Sequence, residues 1–192
     1  MNQEDSFNME ELSKEVLPGH KQLLHFKRMG RELAMQYLFQ CDLAGEGESE
    51  ESMECFWEQA EESGEFPNNR VFRKARTYAE KLILGVQANE FEINDMLENA
   101  SKRWNLGRMS AVDRNIMRIA IYELKFCPDI PPVVSIDEAI EIGKDFSGEN
   151  SGVFINGLLN GIKNQLYPEL KSSRPPRRKA KEEPEKTAED GE

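Results

Sequence analysis

Lys21, Lys27, Arg28 and Arg31 fall between His20 and Arg31, a stretch that contains no acid. Cations at that density can neutralise a polyanion, and phosphate is the obvious one, because the local field rather than the total charge steers an approaching ligand. The cluster stands out against an acidic chain of formal net charge −11. From Gln40 to Phe66 the imbalance reverses, with acids and neither Lys nor Arg. Phosphate binding is therefore the first chemistry that the residues offer.

Catalysis is not offered in the same way. The two histidines, His20 and His25, both lie near the N-terminal end, and no GxSxG, phosphate-loop, HExxH or dinucleotide fingerprint occurs. Cys41, Cys55 and Cys127 are odd in number and unpaired by motif, so they read as small core residues rather than as a disulfide or zinc framework. The acids of 46–65 lack ligand spacing and read as a solvated face. The SGENSG loop precedes a helix start, where backbone amides can meet an anion, but ordinary interhelical loops share that pattern. The expectation is no catalytic residue, no metal and no cofactor. An acidic N-terminus and the lack of a long apolar run predict a soluble, cytoplasmic protein with no membrane association.

The elements that must position these residues read as helices throughout. At 192 residues and 38% hydrophobic, the chain can bury one core. Residues 1–20 are expected to be a disordered polar extension, 21–170 a helical RNA-binding domain once the resemblance below is included, and 171–192 a disordered charged tail. The first helix spans about Phe26–Ala44, with Phe26, Leu33, Ala34, Tyr37 and Cys41 on one arc and Lys27, Arg28 and Arg31 on another, roughly 100° wide. An acidic helix follows over about Glu50–Glu62, anchored by Phe56 and Trp57. The third and fourth helices cover about Asn69–Ala88 and Glu90–Trp104. Ser110 with Asp113, and Ser135 with Glu138, read as capping boxes for the fifth and sixth helices. CPDIPP ends the fifth. Asn150 or Ser151 is expected to cap the seventh. The fold class is all-α, a compact bundle of about seven helices.

Two positions resist this pattern. Glu123 falls in the middle of the fifth helix's apolar arc, where an unpaired charge is very costly, so it should accept hydrogen bonds from a neighbouring helix end or loop. Gly157 and Gly161 sit one turn apart inside the seventh helix, each costing about 1 kcal/mol relative to alanine, and by default a packed helix should approach them, with a partner or RNA the less frequent alternative.

"VDRNIMRIAIYEL" (112–124), "IPPVVSIDEAIEIGKDF" (130–146) and "ENSGVFINGLLNGI" (149–162), with the basic "KRMGRELAMQYLFQ" and "YAEKLILGV" upstream, closely resemble the NusB family. The resemblance covers about residues 25–166 and is poor over 45–68. It implies a non-enzymatic transcription antitermination factor that pairs with the ribosomal protein NusE, binds single-stranded boxA RNA and joins other Nus factors on RNA polymerase, notably in ribosomal RNA operons. It leaves a monomer and a homodimer both open. By the same resemblance, Lys27, Arg28 and Arg31 would neutralise phosphates, and Phe39, Phe146, Asn150, Ser151 and Phe154 would lie on the RNA surface. Asp113 would face NusE. Phe39 and Phe146 also project close to apolar stripes, and Asp113 also serves its capping box, so each carries a structural alternative. Asn150 stands where relatives often have Asp, which removes a charge that would repel phosphate. Two rivals remain: a NusB-like protein–protein adaptor without significant RNA binding, and a fragment of an RNA methyltransferase, for which the polar tail after Ile162 leaves no cofactor domain.

Overall fold

The structure, a computed structural model, describes residues 26–45, 50–63, 69–101 and 109–173. Among them run α1 (Phe26–Ala44), α2 (Glu50–Glu62), α3 (Arg70–Ala88), α4 (Glu90–Ala100), α5 (Ala111–Phe126), α6 (Pro132–Phe146), α7 (Glu149–Leu166) and a 3-10 turn (Pro168–Ser173). No strand occurs among the described residues, and the expected all-α bundle is the fold. The expected extension of 1–20 lies outside the described residues, as do Trp104 and 174–192. The 3-10 turn carries regular backbone three residues into the expected tail.

Helix α1 is the central element. It packs on α3 along one side and on α5 along the other, so Met29 through Met35 are buried without interruption, as are Tyr37 and Leu38. Gly30 is where α1 and α3 approach most tightly: a Cβ there would stand 2.8 Å from the Ala75 carbonyl oxygen and 2.9 Å from Tyr78. Gly85 does the same for α3 and α5, since its missing Cβ makes room for the Tyr122 ring. The acidic α2 is pinned as its composition suggests. Phe56 and Trp57 are buried, Phe56 meets Tyr37 edge-on, and Arg76 lies 5.1 Å over the Trp57 ring.

The helix starts follow the sequence in part. Asn69 Oδ1 accepts from the backbone N–H of Val71 and Phe72 to cap α3. Ser110 Oγ accepts from the Asp113 N–H, as the capping motif requires. Ser135 does not cap α6: the helix starts a turn earlier at Pro132, whose fixed φ suits the first helical position, leaving Ser135 inside and 1% exposed. Nor does Asn150 or Ser151 cap α7. Gly148, at φ +123°, turns the chain between α6 and α7 and makes the N-cap itself without a side chain. The cysteines also differ from expectation: Cys127 is buried, Cys41 half-buried and Cys55 exposed.

Candidate nucleic-acid interface

Folding takes apart the described part of the cationic cluster, Lys27, Arg28 and Arg31, and Lys21 lies outside the described residues. Arg31 is 4% exposed, and its Nε donates to Glu123 Oε1 at 2.9 Å. Glu123 is fully buried and also accepts from the Tyr78 hydroxyl. One oxygen of the carboxylate in the apolar arc, Oε1, is therefore met by side chains of α1 and α3 rather than by a helix end. The same geometry corrects the expectation that Arg31 meets phosphate, because its guanidinium is committed inside the core. Burial, followed by the charge of Glu123, drives the Tyr78 phenol far above its ordinary range.

Arg28 is held at the surface, yet it is surrounded by acids. Its Nε donates to Glu32 at 2.5 Å and its Nη2 to Asp145 at 2.8 Å, while Nη1 lies 3.6 Å from Glu138 Oε2. The side chain is only 12% exposed. Burial raises the Glu32 carboxyl above its ordinary pKa, with Arg28 pulling the other way. Asp145, by contrast, is 63% exposed. Lys27 is half-buried with its ammonium 5.6 Å over the Tyr78 ring. The sequence therefore over-reads the patch: Glu32, Glu123, Glu138 and Asp145 stand against Arg28 and Arg31.

The aromatic candidates separate by exposure. Phe146, expected on an apolar stripe, is 43% exposed because α6 buries Ile142 and Gly143 instead and ends there. Phe39 is half-buried. Phe154, expected on the RNA surface, is half-buried and packed against the core. Asn150 is exposed and Ser151 half-buried at the start of α7. Lys27 and Phe146 are the sequence neighbours of the ion-paired Arg28 and Asp145, but Lys27 turns toward Tyr78 of α3. Ser110 Oγ lies 3.3 Å from Ser147 Oγ, which joins the start of α5 to the same loop. Asp113 is 9% exposed with Oδ1 buried and without a hydrogen-bond partner, so it presents little carboxylate outward in the isolated chain.

Arg114 and Arg118, which point away from the apolar arc of α5, converge on one acid. Asp42 accepts from Arg114 Nη2 at 2.7 Å, Asn115 Nδ2 at 3.0 Å and Arg118 Nη1 at 3.1 Å, clamping the end of α1 to α5. Burial pushes the Asp42 carboxyl up, but the hydrogen bonds and charges of Arg114, Arg118 and Asn115 outweigh it and hold the group below the usual carboxylate range. Gly157 and Gly161 have no heavy atom within 4 Å of an added Cβ, and both are exposed. Among the described residues, the helix expected to pack there does not.

Sequence reasoning missed Asp145, Glu138, Tyr78 and Asp42 as partners. One signal was available for Arg31. At 100° per residue it projects between Leu38 and Met35, which marks that face of α1 as buried. Among the described residues no helix is long and apolar enough to cross a membrane.

A profile described as the NusB family matches residues 28–164. The transcription antitermination protein NusB of Myxococcus xanthus is 44% identical over 136 residues, 71% of this chain and 93% of that protein. Among solved structures, T. maritima NusB superposes with a TM-score of 0.62 at 35% identity, covering 77% of this chain and 97% of its own. A crystal structure of the antitermination factors NusB and NusE in complex with double-stranded RNA superposes with a TM-score of 0.60 at 27% identity, covering 73% and 97%.

Proposed function

The chain belongs to the NusB family, and on that premise we propose that it is a transcription antitermination factor that binds boxA RNA together with a NusE-type ribosomal protein. The observation that carries the reading is the likeness of 73% of this chain to 97% of a NusB chain solved in a complex with NusE and double-stranded RNA. The role is one of binding rather than catalysis, exercised in the cytoplasm on nascent transcripts of ribosomal RNA operons. Other Nus factors and RNA polymerase join through the assembled complex, and a homodimer is a form the free protein can take.

The RNA surface in this reading centres on Lys27, Phe146, Asn150 and Ser151, with Phe39 and Phe154 contributing ring edges. An exposed ring such as Phe146 can stack on an unpaired base, which is how single-stranded RNA is commonly held. Arg28 joins this surface by exchanging exposed Asp145 for a phosphate. Arg31 contributes from beneath by fixing α1. Asp113 serves the protein partner through the small part of its side chain that stays accessible, since its Oδ1 is buried.

Fluorescence anisotropy tests the reading: a short boxA RNA is titrated with this protein, with and without the NusE-type partner, beside a scrambled RNA. Preferential boxA binding that the partner strengthens is the expected result. Equal, weak binding of both RNAs in the presence of a partner that demonstrably binds would overturn it. That outcome would favour the second reading, a protein–protein adaptor, which draws support from the acids that neutralise Arg28 and Arg31.

A further inference from the structure

Beside the buried ion pair lies a cavity of about 10 Å³, lined by Arg31, Glu123 and Ser135 among apolar side chains that include Ile119 and Ile142. Three polar atoms of these lining residues, Arg31 Nη2, Glu123 Oε2 and Ser135 Oγ, are buried and have no hydrogen-bond partner. Their residues are 4%, 0% and 1% exposed. Orphaned buried groups of this kind are strongly disfavoured, and charged ones most of all. They come from three different helices, α1, α5 and α6, so no local hydrogen-bonding motif within one helix joins them.

We propose that this cavity is the binding site of one internal water molecule, accepting from Arg31 Nη2, donating to Glu123 Oε2 and sharing a hydrogen bond with Ser135 Oγ. The lining chooses the ligand. A cation would face the guanidinium, and an anion would face the carboxylate. Only a neutral molecule that both donates and accepts satisfies all three atoms. The space admits a single heavy atom, since a water needs about 10–15 Å³ of such volume and two to four polar partners. The shift of the α6 start to Pro132 is what carries Ser135 into this position. The water thus completes the hydrogen bonding of Arg31 and ties the basic segment of α1 to α6 through the interior.

A high-resolution crystal structure of the full chain tests this directly. The expected result is a well-ordered solvent peak within hydrogen-bond distance of the three named atoms. A direct bond from Ser135 Oγ to Glu123 Oε2 with no density between them, or a cavity without density, would overturn it. Thermal unfolding of two variants gives an independent readout with opposite signs. If the water is present, Ser135→Val, which fills its space and leaves Arg31 Nη2 and Glu123 Oε2 unpartnered, melts below Ser135→Ala, which leaves room for it. In a dry cavity the order reverses, because valine fills a void that alanine enlarges. Should Ser135→Val fail to fold, the density in the unaltered protein decides.

Discussion

Arg31 and Arg28 illustrate how differently two neighbouring cations can be used. Arg31 is a core residue whose partner, Glu123, would be left as a buried lone charge without it. Arg31→Ala is therefore expected to lower unfolding free energy by about 3–5 kcal/mol. Replacing Arg31 and Glu123 together by methionine, with Tyr78→Phe to remove the remaining orphaned hydroxyl, should cost far less than the sum of the single changes. Urea denaturation of the set measures both, and a mild effect of Arg31→Ala would return that residue to the surface. Arg28 is bound by an exposed acid that a phosphate can replace. Asp145→Asn should strengthen RNA binding and steepen the log–log salt dependence by about 0.7, the increment for one phosphate neutralised on a single strand. Anisotropy at several salt concentrations reads that slope, and an unchanged slope would mean that Arg28 never reaches RNA.

At the scale of the helix, glycines mark where packing is tight and where it is absent. An alanine at Gly85 would drive its Cβ into the Tyr122 ring, so Gly85→Ala should destabilise by about 1–3 kcal/mol. Tyr122→Ala in the same chain should recover part of that loss, which a double-mutant comparison by thermal unfolding would detect. Gly161 has open space around it, and Gly161→Ala should instead stabilise α7 by about 0.5–1 kcal/mol. The spacing of two glycines on α7 is visible in the sequence, but spacing does not distinguish a buried contact from an open face. Gly85, inside an unremarkable apolar run, gave no such warning and proves to be the tighter contact.

The whole molecule is held together across its length by charge as well as by its core. Asp42 joins α1 to α5 through Arg114, Arg118 and Asn115. Its folded pKa lies below the ordinary value of 3.8. Its contribution to stability is therefore fully present above that ordinary value and is lost as pH falls through the folded pKa. The melting temperature should fall as pH is lowered below about 4, and that fall should be shallower in Asp42→Asn, which has no carboxyl to protonate there. An identical pH profile for both proteins would remove Asp42 from the account.

The sequence by itself determined the all-helical bundle, the extents of α1 and α2, the Ser110 cap and the break at CPDIPP. These depend on periodicity, capping and proline, all of which act within one or two turns. The family motifs added the direction of the functional reading. What only the tertiary structure decided is which charges are free. The cations of α1 look concentrated because the stretch from His20 to Arg31 holds no acid, yet besides Glu32 their partners Glu123, Glu138 and Asp145 arrive from α5 and α6 more than 90 residues away. The start of α6 is likewise a tertiary matter in its consequence, since a shift of one turn moves Ser135 from a cap into the core. Burial and ion pairing depend on distance in space, and composition along the chain records only distance in sequence.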